Sequence, residues 1–89
     1  MEEIYVEDFM SPGCVGCPIV KEMLKSLSTE LSGDMTVEEV DITVDTARAA
    51  QYGIMSVPSI VINGELKFTG VPGKEELKKA LMEEMAKSG

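Results

Sequence analysis

A single α/β domain over residues 1–89, with element order β-α-β-α-β-β-α and a four-stranded mixed sheet flanked by three helices, is predicted by three observations. Short runs rich in β-branched and aromatic residues alternate with stretches of helical periodicity, as β-α-β units require. Asn63-Gly64 separates the last two of those runs and marks a tight hairpin, since both turn positions need positive φ. The chain has 89 residues, which leaves room for one modest core; a domain of this size buries only roughly two thirds of its unfolded surface.

Ile4-Tyr5-Val6-Glu7-Asp8-Phe9 reads as the first strand. Ser11-Pro12-Gly13 is a turn cluster, and Cys14-Val15-Gly16-Cys17-Pro18 leads into a helix. In that helix Ile19, Val20, Met23, Leu24, Leu27 and Leu31 recur on one face. Pro18 is tolerated in the first turn, where a missing N–H costs little, and Gly33 is the expected stop. Met35 to Val44 reads as the second strand, with Val40, Ile42 and Val44 on one face. Asp45 is a candidate N-cap for a short helix from Thr46 to Tyr52, ended by Gly53. Ser59-Ile60-Val61-Ile62 is a continuous apolar run suited to a buried strand, and Glu65-Leu66-Lys67-Phe68-Thr69 returns beside it. Gly70-Val71-Pro72-Gly73 breaks the pattern before a last helix from about Lys74 to Lys87, with Leu77, Ala80, Leu81 and Met85 inward. The first β-α-β unit should be parallel and right-handed, and the final strand pair antiparallel.

Eight Lys and Arg against sixteen Asp and Glu give a formal charge of −8. A phosphate backbone would repel such a surface, so no nucleic-acid partner is expected. Anionic membranes are disfavoured in the same way, whereas a partner with a basic docking face is compatible. No apolar run approaches the ~18 residues of a transmembrane helix. Met1-Glu2-Glu3 lacks the positive flank and apolar stretch of a signal peptide, so a cytoplasmic location is expected.

The chain holds two cysteines and no histidine. Two thiols make no disulfide-rich scaffold, and without histidine a Cys-His or Ser-His hydrolase site is excluded. Cys14 and Cys17 stand at a helix start, where orphan N–H groups and the positive dipole end favour thiolate over thiol. The pKa of Cys14 is expected to fall from ~8.5 into the range ~3.5–7.5. Cys14 would then be the exposed nucleophile, and Cys17, one turn inward, the shielded sulfur that resolves a mixed disulfide. Two other readings stay open on these residues: inert buried thiols, and a metal or iron–sulfur module in which two chains each contribute a CxxC.

The CxxC, the later Val57-Pro58 and the Gly70 before the final helix stand in the order of the thioredoxin/glutaredoxin superfamily. The resemblance covers essentially the whole chain and implies a thioredoxin-like fold. The short length, and the stretch from Tyr52 to Gly64, resemble the small glutaredoxin-sized thioredoxins of archaea. By this resemblance Pro58 matches a cis-proline beside the cysteine pair, leaving the backbone of Val57 free to pair with an extended substrate segment. Gly70 matches the glycine near which substrate backbone approaches; a plain strand terminator is the alternative. Asp8 matches a buried aspartate that assists proton transfer to and from Cys17; an edge-strand surface carboxylate is the alternative. The lysine that often accompanies that aspartate is replaced by Glu39, while Lys21, one turn after Cys17, is either an electrostatic aid or a solvated helix charge.

Departures from the family pattern narrow the expected activity. No tryptophan is present, and neither Trp-Cys-Gly-Pro-Cys nor Cys-Pro-Tyr-Cys occurs. No lysine precedes Cys14 where glutaredoxins hold a glutathione carboxylate, and Gly70-Val71-Pro72-Gly73-Lys74 lacks the segment that cradles the tripeptide. The reading is a dithiol–disulfide oxidoreductase that reduces protein disulfides, with a glutathione-dependent glutaredoxin as the alternative. It implies no bound cofactor beyond the Cys14–Cys17 disulfide, no metal, a monomer, disulfide-containing target proteins, and a thioredoxin-reductase-like enzyme for recycling. A noncatalytic adaptor binding peptides at the Val57-Pro58 edge is a further competitor.

Overall fold

The computed structural model describes residues 3–31 and 35–88. Gly33, the expected stop of the first helix, lies outside them, as do Met1 and Glu2. In chain order the elements are β1 (Ile4–Met10), α1 (Cys17–Glu30), β2 (Met35–Asp41), α2 (Thr46–Gln51), β3 (Ser59–Ile62), β4 (Glu65–Thr69) and α3 (Lys74–Ser88). The sheet order is β2-β1-β3-β4, with β1 parallel to β2 and antiparallel to β3, and β3 antiparallel to β4. This is the thioredoxin-like α/β architecture the sequence predicts.

Period-two alternation divides β1 between two cores. Ile4 and Val6 pack with Val20, Leu24 and Leu27 of α1, Leu77 and Leu81 of α3, and Ile60 and Ile62 of β3. Phe9 lies on the opposite face with Val40, Ala49 and Val61, supported by Tyr52 and Ile54. Both β1 and β3 are central strands covered on both faces, which explains the unbroken apolar run from Ile60 to Ile62. Each fully buried Leu or Ile in these cores contributes about 1.5–3 kcal/mol relative to an exposed one.

Local chemistry ends the elements. In the β3–β4 hairpin Asn63 takes φ +49° and Gly64 φ +84°, the left-handed pair such a turn demands. Asn63 also ties the hairpin to β1: its N–H donates to Tyr5 C=O at 2.8 Å, and its Oδ1 accepts the Tyr5 N–H at 2.9 Å. A bulge follows, because Ile60 pairs with Phe68 while Val61 pairs with Leu66. Asp45 caps α2 by accepting the Arg48 N–H at 3.1 Å.

Two expectations about apolar faces are corrected. β2 ends at Asp41, not Val44. The Asp41 carboxylate accepts the N–H of Thr43 at 2.9 Å and its hydroxyl at 2.6 Å, while the Asp41 carbonyl accepts the N–H groups of Val44 and Asp45. That turn swings Val44 out to 80% exposure, although Ile42 keeps a ladder bond to Met10 C=O. Ile19 is 51% exposed rather than inward, because the buried stripe of α1 runs through Cys17, Val20, Leu24 and Leu27, and Ile19 stands beside that stripe.

Candidate functional site

β1 carries the chain to the C-terminal end of the parallel pair, where residues 11–16 turn it back into α1. Gly13 supplies a positive φ of +81°, and the Cys14 N–H donates to Ser11 C=O at 3.3 Å. Helix α1 begins at Cys17, with Gly16 as N-cap and Pro18 in its first turn. Cys14 thus precedes the helix, and Cys17 opens it. The two are joined as a disulfide with Cα atoms 5.4 Å apart. Their surroundings differ: Cys14 is half-buried, whereas Cys17 is buried at 6% exposure. Val15 between them is 88% exposed.

The loop before β3 packs against this pair. The Val57–Pro58 peptide bond is cis. Pro58 is buried, and its Cδ lies 3.4 Å from where a Cβ on Gly16 would stand; Val71 Cγ2 lies 2.7 Å from the same point. Only a residue without a side chain fits there undisturbed. Nothing in the local pattern signals this packing, since Val71 is far away in the chain. Among the described residues Val57 enters no turn or loop backbone hydrogen bond. Gly70 takes φ +96°, and its N–H donates to Pro58 C=O at 2.7 Å.

Asp8 stands on the α1 face of β1, in register with Glu39 of β2 and Ile60 of β3. Because β1 is interior to the sheet, the surface-carboxylate alternative for Asp8 does not hold: the residue is 1% exposed. Its Oδ1 has no hydrogen-bond partner among the described residues. Burial, then the Glu39 charge, push the Asp8 carboxyl up from 3.8 to about 6, and Lys21 pulls partly the other way. Glu39 therefore occupies the second-strand position the sequence assigned it. Lys21, an exposed charge on α1, reaches Glu39 at 3.4 Å. A cleft of about 320 Å³ brings Asp8, Cys14, Cys17, Pro18, Lys21 and Glu39 together.

A second polar cluster, on the other face, escaped sequence reading. Glu7 is 3% exposed and accepts a hydrogen bond from the Tyr52 hydroxyl at 2.8 Å. Arg48 reaches Glu7 at 3.5 Å, Glu38 at 3.2 Å and Asp45 at 3.2 Å. The Tyr52 ring stacks edge-on against Phe9 at 5.8 Å. This cluster fastens α2 to the sheet. Among the described residues no group of three or more Cys, Asp or Glu is arranged to hold a metal ion, and no helix is long and apolar enough to cross a membrane.

Comparisons with known proteins agree with this geometry. A family model described as a thioredoxin domain matches residues 3–82. A probable thioredoxin of Methanothermobacter marburgensis is 42% identical over 82 residues, covering 92% of this chain and 96% of the relative. A thioredoxin of Methanocaldococcus jannaschii is 38% identical, covering 91% and 95%. Among solved structures, a mutant thioredoxin from Halobacterium salinarum superposes with a TM-score of 0.75 at 24% identity, over 89% of this chain and 72% of that one.

Proposed function

The chain belongs to the thioredoxin family and is a thiol–disulfide oxidoreductase, and from that premise we propose that Cys14 is its nucleophile, Cys17 its resolving thiol and Asp8 its proton relay. The observation that carries this reading is the asymmetry of the pair. Cys14 is the more open residue, and Cys17 is buried and shares its cleft with the buried carboxyl of Asp8.

The reaction begins from the reduced pair. The Cys14 thiolate attacks a target disulfide, forming a mixed disulfide and expelling one target sulfur as a thiolate, which takes up a proton. Cys17 gives its proton to the Asp8 carboxylate. Its sulfur then bonds to Cys14 Sγ, and the second target sulfur leaves and is protonated. The target gains two electrons and two protons, and the chain is left as the Cys14–Cys17 disulfide. A carboxyl near 6 suits this task, because it is ionised enough at neutral pH to accept a proton and basic enough to hold one.

Val57 and Gly70 would line the approach of an extended target segment beside Pro58. The free Val57 backbone supports β-type pairing there. At Gly70 the N–H is already taken by Pro58 C=O, so its contribution would be close approach, where a side chain would intrude, and not donation. The redox group is the chain's own disulfide. Family membership implies disulfide-containing protein targets and a reductase that recycles the pair. We place the protein in the cytoplasm as a monomer that acts as a reductant without glutathione, with no nucleic-acid or membrane partner, on its charge of −8 and the departures in its motifs.

The test is single-cysteine substitution with a disulfide-bonded protein as substrate and dithiothreitol as electron source. Cys14→Ser should abolish catalysed reduction, and Cys17→Ser should accumulate a mixed disulfide detectable by mass. Full turnover by Cys14→Ser would sink the assignment.

A further inference from the structure

The turn that joins the two sulfurs brings no packed side chain of its own. Val15 is 88% exposed, and Gly16 has no side chain. The Gly16 backbone does not call for glycine: φ −83° and ψ −15° lie in the right-handed region open to any residue. Glycine serves space alone here, and Val71 takes that space. The Val71 Cγ2 methyl lies 2.7 Å from where a Gly16 Cβ would stand, and Pro58 Cδ and Cγ lie 3.4 and 3.7 Å from the same point. Val71 is itself held in place. Gly70 before it donates its N–H to Pro58 C=O at 2.7 Å, and Pro72 after it is buried, with φ fixed by its ring. A β-branched side chain on such a backbone is also stiff at χ1.

We propose that Val71 is a positioning residue for the resolving step: by filling the notch at Gly16 it keeps the Cys14–Cys17 turn closed while no bond joins the two sulfurs. This rests on the reading of Cys14 as nucleophile and Cys17 as resolving thiol. In the oxidised chain the disulfide itself holds the turn. In the mixed disulfide that bond is absent, and Cys14 carries the target. Cys17, its proton given up, then bonds to Cys14 Sγ, and the target sulfur leaves with the electron pair of the broken bond and is protonated. Such a closure is faster the less the turn has to be reordered first. Gly13 and Gly16 both lie in this turn, and glycine has the most backbone freedom to lose. Within the turn and its helix, Cys14 N–H donates to Ser11 C=O at 3.3 Å and Val20 N–H to Gly16 C=O at 3.2 Å. The wall of Val71 and Pro58 restrains Gly16 from outside them.

Stopped-flow absorbance with the reduced protein and dithiobis(nitrobenzoate) separates the two steps. Attack by Cys14 releases a first nitrothiobenzoate at a rate that grows with reagent concentration; attack by Cys17 releases the second at a rate that does not. Val71→Ala should slow the second release about fivefold, the scale of freeing one glycine backbone, and leave the first unchanged. The same loosening favours the open dithiol, so the potential of the pair in a glutathione buffer should become less negative by about 20 mV, at about 30 mV per tenfold. Val71→Thr keeps the branched shape and should match the parent. Gly16→Ala combined with Val71→Ala returns a methyl to the notch from the other side and should recover the second release. Equal slowing of both releases, slowing of neither, or a double variant no faster than Val71→Ala would overturn the positioning role. Cys17→Ser separates that role from the reading beneath it. If Cys17→Ser traps the first adduct while Val71→Ala resolves at the parental rate, the role of Val71 alone falls. If Cys17→Ser still releases the second nitrothiobenzoate, Cys17 is not the resolving thiol and the underlying reading fails.

Discussion

Replacing Asp8 by Asn keeps the shape of a buried side chain and removes its charge. Asp8 is 1% exposed, and its carboxyl is lifted from 3.8 to about 6 by burial first and Glu39 second. The folded chain therefore holds this proton more tightly than the unfolded chain. The stability that the protonated group contributes is whole below about pH 4 and is lost as pH rises through about 6. A lift of about 2 pH units, at about 1.4 kcal/mol each, makes the ionised carboxylate cost the fold about 3 kcal/mol at pH 8. Asp8→Asn should thus be more stable than the parent by up to that amount at pH 8, with the gain shrinking toward zero near pH 4. Guanidinium unfolding of the oxidised proteins, followed by far-ultraviolet circular dichroism because the chain has no tryptophan, measures the difference. A gap that fails to widen with pH, or a variant less stable at pH 8, would refute the reasoning.

Other expected outcomes concern the neighbours. Glu39→Gln should move the Asp8 carboxyl down toward its ordinary value, and Lys21→Met should move it up, since the two charges act on it in opposite directions; carbon NMR of the carboxyl across pH reads both. Tyr52→Phe removes the hydroxyl that donates to buried Glu7 and should destabilise the fold by about 1–2 kcal/mol in denaturant unfolding, while the edge-on stack with Phe9 persists.

The parts of the molecule governed by local chemistry were legible in the sequence. Asn63-Gly64 named its turn, Asp45 its cap, and the apolar run at Ile60 its buried strand, because each signal lies within a few residues of its effect. Val44 misled because strand alternation continues past the point where the Asp41 side chain takes over the backbone, a competition invisible to a period-two count. Ile19 misled because an apolar stripe read from spacing is wider than the one the sheet covers, which runs through Cys17, Val20, Leu24 and Leu27 and leaves Ile19 at its edge. The cysteine pair and Asp8 were readable as candidates from their order along the chain. The family resemblance placed Glu39 beside Asp8, and strand register puts it there. That Arg48 and Tyr52 converge on Glu7 follows from packing between residues 41 and 45 positions apart, which leaves no local trace.

The crowding at Gly16 limits how this redox pair can be retuned. Of the two spacer residues, one is pressed between Pro58 and Val71, and the other stands in solvent. Of the two, Val15 is the spacer that can be exchanged without steric cost. Bulk added at the neighbouring slot would meet Val71 first, 2.7 Å from the added Cβ, with Pro58 already in contact at 3.4 Å.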